Sequence, residues 1–284
     1  MNRCDQIGNT PLLELTELAG NPLLATVLIK DESTNPTGTH KDRKSAFLIQ
    51  KAIAKSIDTL AILTSGNAGY SLATLAQDTG IEVVTIVSND IRPRIKSSLE
   101  SAGARVVEAD FSQPLESNDI CNLARTRQNK NIWDVTNEGC EAYAELYEEF
   151  AKENAKMIIC PIGSGELYMG ICKSVDDQKS DTIVMGVHPF HLNQNSKADK
   201  LTSGHLPTMT EILSTQLSSS YNGIVGHARH SVTEDDIQWC IDHAPGFLKA
   251  EPSALVPLDP IRKYLGDIDQ KIIMVSTGKG KVEG

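Results

Sequence analysis

Lys41 lies in the run Lys30-Asp31-Glu32-Ser33-Thr34-Asn35-Pro36-Thr37-Gly38-Thr39-His40-Lys41-Asp42-Arg43. The turn-forming N-P-T-G leads into Thr39-x-x-Asp42, the pattern of a capping box. The spacing predicts a helix running to about Lys55, with Phe47, Ile49, Ala52 and Ile53 among the positions able to face a core. Lys41 then falls in the first turn, where the positive helix end disfavours a further positive charge and favours the neutral amine. A neutral amine is a nucleophile that can form an imine with a carbonyl compound. Alone, K-D-R-K also reads as an exposed, charged helix start. A second set is Thr64-Ser65-Gly66-Asn67-Ala68-Gly69. Its glycines allow close backbone approach, and hydroxyls beside free N–H groups at a helix start make an anion site suited to a carboxylate. Asn67 can hold a polar ring substituent through its amide. A plain capped strand-to-helix loop explains the same residues. In Pro161-Ile162-Gly163-Ser164-Gly165-Glu166-Leu167 the backbone donors could cradle a phosphate, while an inward Glu166 carboxylate would repel it. The last set, Val275-Ser276-Thr277-Gly278-Lys279-Gly280, puts hydroxyls at a strand end, where ligands of α/β proteins tend to lie and where ordinary turns also form.

These residues need elements to hold them, and the sequence supplies a regular series. Strands are expected at 59–64, 82–88 and 104–109, with helices at 67–79 and 92–102 closed by Gly80 and Gly103. A second series has strands at 156–162, 182–187 and 271–276, with an apolar helix after the first. Two helical stretches are expected within 112–155, with Glu145, Glu148 and Glu149 forming a solvated face. The stretch 189–222 reads as a long loop or flap. The fold class is therefore α/β: two open, mostly parallel twisted sheets flanked by helices, divided near residue 150 into 1–150 and 151–284. At 284 residues, 40% hydrophobic and 23% charged, the chain has ordinary globular composition. A net charge of −10 disfavours nucleic acid and anionic membrane surfaces. No apolar run is long enough to span a bilayer, and the start lacks a signal-peptide layout, so a cytoplasmic location and a small-molecule substrate are expected. The six cysteines contain no C-x-x-C and read as reduced, buried thiols. The pairs His188/His191 and His227/His230 match no known ligand spacing, and no metal is expected.

The order and spacing of the four sets resemble the pyridoxal-phosphate enzymes of the tryptophan synthase β family (fold type II), and within it threonine synthase. Ile7-Gly8-Asn9-Thr10-Pro11-Leu12 is similar to the family's opening I-G-x-T-P-L, Thr277-Gly278-Lys279-Gly280 to its closing T-G-x-G, and Glu251-Pro252-Ser253-Ala254 to a segment near the ring. N-P-T-G-x-x-K-D-R is the most specific piece and has the form typical of threonine synthases. The resemblance implies pyridoxal 5'-phosphate in a cleft between two domains, with Lys41 its covalent anchor and the proton carrier at Cα. It implies Asn67 on the phenolic oxygen, the substrate carboxylate at Thr64, Ser65, Gly66, Asn67 and Ala68, and Ser276 or Thr277 on the pyridine nitrogen. Gly163, Ser164, Gly165, Glu166 (through its backbone) and Leu167 would hold the phosphate. A neutral hydroxyl at the ring nitrogen makes a weaker electron sink than a carboxylate would, which favours elimination and replacement over transamination. The activity implied is a lyase converting O-phosphohomoserine to threonine, with serine or threonine dehydration or cysteine synthesis as the alternative and a non-catalytic binding member as a further one. A second anion site would be needed for the phosphorylated substrate, with Arg92, Arg94 and Lys96 as candidates or simply a basic helix start. A homodimer is also implied. The sequence departs from the pattern at His40, Glu166 and Lys279.

Overall fold

The computed structural model describes residues 6–191, 195–202 and 227–280. In chain order the elements are β1 (Leu12–Leu18), β2 (Asn21–Asp31), α1 (Lys41–Ala54), β3 (Thr59–Leu63), α2 (Asn67–Ala76), β4 (Glu82–Ser88), α3 (Pro93–Ser101) and β5 (Arg105–Ala109). There follow α4 (Ser117–Ala124), β6 (Ile132–Asp134), α5 (Tyr143–Glu148), β7 (Met157–Pro161), α6 (Glu166–Asp177), β8 (Ile183–Pro189), β9 (Ala228–Val232), α7 (Glu234–Asp242) and β10 (Lys271–Ser276). Short helical turns occupy Pro252–Leu255 and Leu258–Leu265. The chain forms an α/β fold with two mostly parallel sheets flanked by helices, and it divides into two compact units. One is built around Asn35–Gly139, the other around Gly8–Thr34 with Cys140–Lys279.

The first unit holds a four-stranded parallel sheet in the order β5-β4-β3-β6. Side chains alternate across it, as the period of two in a strand requires. Leu60, Ile62, Val83 and Val87 pack with Leu48, Ile49, Ala52, Leu72 and Leu99 from α1, α2 and α3. Ala61, Val84 and Ile86 face the other way, onto Ile120 and Ala124 of α4. Of the expected core positions on α1, Ile49 and Ala52 are buried, whereas Ile53 is 58% exposed. The helical period turns Ile53 off the stripe shared by Leu48, Ile49 and Ala52. Helix α2 stops at Ala76, short of 79, because a turn from Ala76 to Thr79 leads into Gly80.

The second unit holds a six-stranded sheet in the order β1-β2-β10-β7-β8-β9, parallel except for the β1–β2 hairpin. Ile272 and Met274 join Val27, Ile29, Ile159 and Ile237 on one face. Ile273 and Val275 join Ile158, Cys160, Leu167, Ile171 and Tyr143 on the other. The hairpin and β9 are not expected from the sequence pattern, and the hairpin moves the division between units. Residues 8–34 join the later sheet because β2 runs parallel to β10, Thr26 opposite Lys271 and Asp31 opposite Ser276. The later part then begins at Cys140 instead of 151.

The acidic stretch also differs from expectation. Glu149 accepts hydrogen bonds from the Asn9 and Thr10 amides at 2.9 and 3.2 Å, and its carboxylate meets Lys30 Nζ at 2.5 Å. It is a tether for the β1–β2 segment and not part of a solvated face. Of the stretch 189–222, residues 192–194 and 203–222 lie outside the described residues, while 195–202 fold into a turn ending at Asp199–Leu201. Among the described residues no helix is long and apolar enough to cross a membrane.

Candidate active site

In the first unit β6 lies on the opposite side of β3 from β4 and β5, so strand succession reverses between β3 and β6. Ligands of open α/β sheets bind beyond the carboxyl ends of strands at such a point. The loop Thr64–Gly66 leaves β3 there. Gly66 has φ 145° and ψ −84°, a backbone state that only glycine adopts without strain. Thr64 Oγ1 accepts from the Gly66 and Gly69 amides at 3.1 and 3.2 Å, so Thr64 shapes the loop and two of its amides turn inward. Gly69 is glycine for packing, since a Cβ there would meet the Thr64 and Thr85 methyls at 2.6 and 2.7 Å.

Lys41 opens α1, as its spacing predicts, but the capping box does not form. His40 is the N-cap residue and makes no side-chain cap bond. Asp42 reaches further back instead. Its carboxylate accepts from the Thr37 amide at 2.7 Å and from the Thr37 hydroxyl, closing the N-P-T-G turn in which the Gly38 amide bonds Asn35 O at 2.8 Å. It also accepts from Ser71 Oγ at 2.6 Å, and Ser71 lies 2.8 Å from Ser45 Oγ. Asp42 is fully buried, so this network pins the start of α1 to α2. Asn67 lies one turn before Ser71 on α2, which brings the Lys41 and Asn67 segments to the same end of the unit. Lys44 Nζ bonds Thr136 O at 3.2 Å and Thr136 Oγ1 accepts from the Leu63 amide, tying α1 to the ends of β3 and β6.

In the second unit succession reverses between β7 and β10, neighbours whose carboxyl ends carry the third and fourth sets. Gly163–Gly165 leaves β7, and Gly165 caps α6 with φ 94°. A Cβ on Gly163 would sit 2.8 Å from Lys200 O, the Lys200 amide donates to Ser253 Oγ at 3.2 Å, and the Glu251 amide donates to Gly278 O at 3.0 Å. The glycine loop, the 199–201 turn, Glu251–Ala254 and Ser276–Gly278 therefore form one neighbourhood. Sequence reasoning missed Lys200, which has no motif and is brought in by the turn alone. Ser276 Oγ is buried with no hydrogen-bond partner among the described residues, and Thr277 is buried beside it. Glu166 is the first residue of α6 and only 3% exposed, and its Oε2 accepts from Ser164 Oγ at 2.9 Å. Leu167 turns away into the core.

Other residues singled out in the sequence have partners outside these loops. Lys96 pairs with Glu108 at 2.7 Å on the surface of the first unit. His230 Nε2 meets Asp259 at 2.7 Å, the His227 ring accepts from the Val184 amide, and His188 Nδ1 bonds Pro189 O. Cys121, Cys140, Cys160, Cys172 and Cys240 are free thiols, the last three buried.

The fold makes this an open-sheet α/β protein with loops at the switch point of each sheet. The chain belongs to the family described as "Pyridoxal-phosphate dependent enzyme", whose model matches residues 4–278. Over 197 residues it is 26% identical to a cysteine synthase B of Pseudomonas aeruginosa, a match covering 66% of this chain and 66% of that protein. Over 200 residues it is 27% identical to an L-serine dehydratase of Saccharomyces cerevisiae, covering 58% of each. Among solved structures, a cysteine synthase of Entamoeba histolytica superposes with TM-score 0.79 at 15% identity, covering 99% of this chain and 88% of that one, a likeness of fold. These relatives do not support the threonine-synthase reaction. N-P-T-G-x-x-K-D-R builds the turn before Lys41 and the start of α1.

The family's cofactor is pyridoxal 5'-phosphate, and the residues present fit it. A buried neutral hydroxyl at the end of β10, without a partner among the described residues, suits a ring nitrogen, and the glycine backbone ahead of α6 suits an anion. Glu166 is the discordant member of that second group.

Proposed function

We propose that the chain is a pyridoxal-phosphate lyase of small L-amino acids with a leaving group on Cβ, acting on serine-type substrates by elimination or replacement. The observation that carries the reaction type is the buried hydroxyl of Ser276, which has no hydrogen-bond partner among the described residues, next to Thr277 at the end of β10. A neutral group there holds an unprotonated ring nitrogen by a hydrogen bond, which restrains the electron sink and favours loss of a leaving group. The serine-type substrate follows from the curated relatives, a cysteine synthase B and an L-serine dehydratase.

When bound, the cofactor supplies a sink for electrons from the bonds at the substrate's Cα. Lys41 Nζ would hold the cofactor through its aldehyde and would serve as general base for the substrate's Cα proton. The Ser65 hydroxyl and the first-turn amides of Asn67 and Ala68 bind the substrate carboxylate, in the loop that Thr64 and Gly66 shape. The Asn67 amide orients the ring through its phenolic oxygen. Gly163, Ser164, Gly165 and the backbone amides of Glu166 and Leu167 would take the phosphate.

The test is a substrate panel on the full chain: L-serine, L-threonine, O-acetyl-L-serine with and without sulfide, and O-phosphohomoserine. We expect a 2-oxo acid from serine or cysteine from O-acetylserine, both abolished in Lys41→Ala. Threonine and phosphate from O-phosphohomoserine alone would restore the threonine-synthase reading. Turnover of none, with no label on Lys41 after borohydride, would leave a binding protein.

A further inference from the structure

Glu166 sets a charge conflict inside the loop assigned to the cofactor's phosphate in the proposed function, and its role here rests on that assignment. It occupies the first position of the twelve-residue helix α6, where the helix dipole and unpaired amides favour an anion. Its side chain is buried at 3% exposure, so little solvent screens it. Ser164 carries the only hydroxyl in Gly163–Leu167, and that hydroxyl donates to Glu166 Oε2 at 2.9 Å. The carboxylate is thus folded back over the loop, using a donor that a phosphate would use. At Gly163 the loop also packs against the backbone oxygen of Lys200, another acceptor, while the Lys200 ammonium lies 3.2 Å from Asp199 Oδ2. A glycine loop at a helix start attracts an anion, and here the chain provides one of its own.

We propose that Glu166 is a resident anion that competes with the cofactor's phosphate for the start of α6, so that this chain gains little affinity from the phosphate and distinguishes poorly between phosphorylated and unphosphorylated pyridoxal. Two negative groups sharing one set of donors repel each other strongly where water is excluded. Glu166 acts as a specificity-determining residue for the cofactor and takes no part in the chemistry at Cα. Glutamine at 166 keeps the shape and the acceptor for Ser164 while removing the charge.

The full chain, freed of cofactor, is titrated with pyridoxal 5'-phosphate and separately with pyridoxal, following visible absorbance and, after borohydride, the mass of the Lys41 peptide. In the natural chain we expect the two affinities to lie within about tenfold. In Glu166→Gln and Glu166→Gly we expect the phosphorylated form to bind at least tenfold more tightly than before, with pyridoxal unchanged. Inorganic phosphate should then compete with the phosphorylated form in the variants and hardly at all in the natural chain. An equal preference for the phosphorylated form in all three proteins overturns the role of Glu166 and leaves the cofactor site standing. Failure of either compound to attach at Lys41 in any of the three overturns both. Circular dichroism on each variant identifies a misfolded one, and the two substitutions serve as controls for each other.

Discussion

Asp42 shows how much of the setting of Lys41, the proposed cofactor anchor, is built by its neighbour. Its buried carboxylate takes two donors from Thr37 and one from Ser71, so removing the charge strands groups on both the turn and α2. Buried charge-assisted hydrogen bonds cost about 1.5–3 kcal/mol each when one partner is lost. Asp42→Ala should lower the unfolding free energy in urea by roughly 3 kcal/mol or more. Ser71→Ala, which deletes one donor, should lower it by about 1 kcal/mol. Below the melting transition, folded Asp42→Ala should still label poorly at Lys41, since the turn before α1 has lost its clamp. Full labelling in that state would show that Asp42 serves stability alone. Ser276→Ala gives the opposite pattern, since deleting an unsatisfied buried hydroxyl is close to neutral for the empty chain, within about 1 kcal/mol. Its effect should fall on the absorbance and affinity of bound pyridoxal phosphate. A large loss of stability without a spectral change would show that the hydroxyl does not face the ring. The candidate residues were legible in sequence because glycine turns and helix starts are local. Asp42's real partners were not, because its carboxylate passes over the Thr39 cap to a turn and to another helix.

At the scale of elements, α7 and the turn Leu258–Leu265 are held together by charge. Arg262 bridges Asp236 and Asp259 at 2.6 and 2.8 Å, Lys263 meets both, and Arg262 stacks on Trp239. Burial pushes the Asp236 carboxyl up, but hydrogen bonds from Lys263 and Thr233 outweigh it and hold it at about 2. Burial likewise opposes His230, Lys263 and Arg262 at Asp259, which is held below the ordinary 3.8. In the window below 3.8 the unfolded chain binds protons that these carboxylates refuse, so the stability they give above 3.8 is lost as pH falls through their folded values. For Asp236 that amounts to about 2 kcal/mol. His188 and His227 act at higher pH in the same direction. Burial holds both below 6.5, against Pro189 O at the one and Asp176 at the other, so the unfolded chain takes up protons first as pH drops through 6.5. Urea midpoints should therefore fall in two stages, below 6.5 and again below 3.8. Asp236→Asn should shrink the second stage and leave the first unchanged, and a flat profile from 7 to 5 would refute the histidine contribution. Strands β3, β4, β5, β7, β8 and β10 were readable because Val and Ile runs mark buried parallel strands, whereas β1, β2 and the three-residue β6 were not. Strand β9 was not, for Ala228-Arg229-His230-Ser231-Val232 is polar and gains its place by pairing with β8.

For the molecule as a whole, the sequence shows two α/β layers but not which layer residues 8–34 join. Their destination is fixed by contacts across more than a hundred residues, which no local pattern records. β2 adds to β10, and Lys30, 2% exposed at the end of β2, reaches Thr10 O and Glu149 at 2.5 Å each. Thr10 Oγ1 in turn bonds the buried Glu32 at 2.6 Å. The spacing of Glu145, Glu148 and Glu149 identifies a shared helix face correctly in period, yet cannot show that the Asn9 and Thr10 amides cover Glu149. This arrangement predicts an asymmetry between breaking the pair and removing it. Glu149→Gln leaves the Lys30 ammonium buried against a neutral amide, at a cost of about 3–5 kcal/mol. Lys30→Met alone leaves Glu149, which is nearer solvent and keeps the Asn9 and Thr10 amides, so it should cost less. With both substitutions no unpaired charge remains, and the glutamine oxygen can still accept from those amides. The double variant should then recover at least half the loss of Glu149→Gln in urea unfolding. Protease cutting within residues 8–34 should rise in the Glu149 single variant and return toward normal in the double. Additive losses would mean that the pair does not couple, and that β2 is held by its strand partners alone.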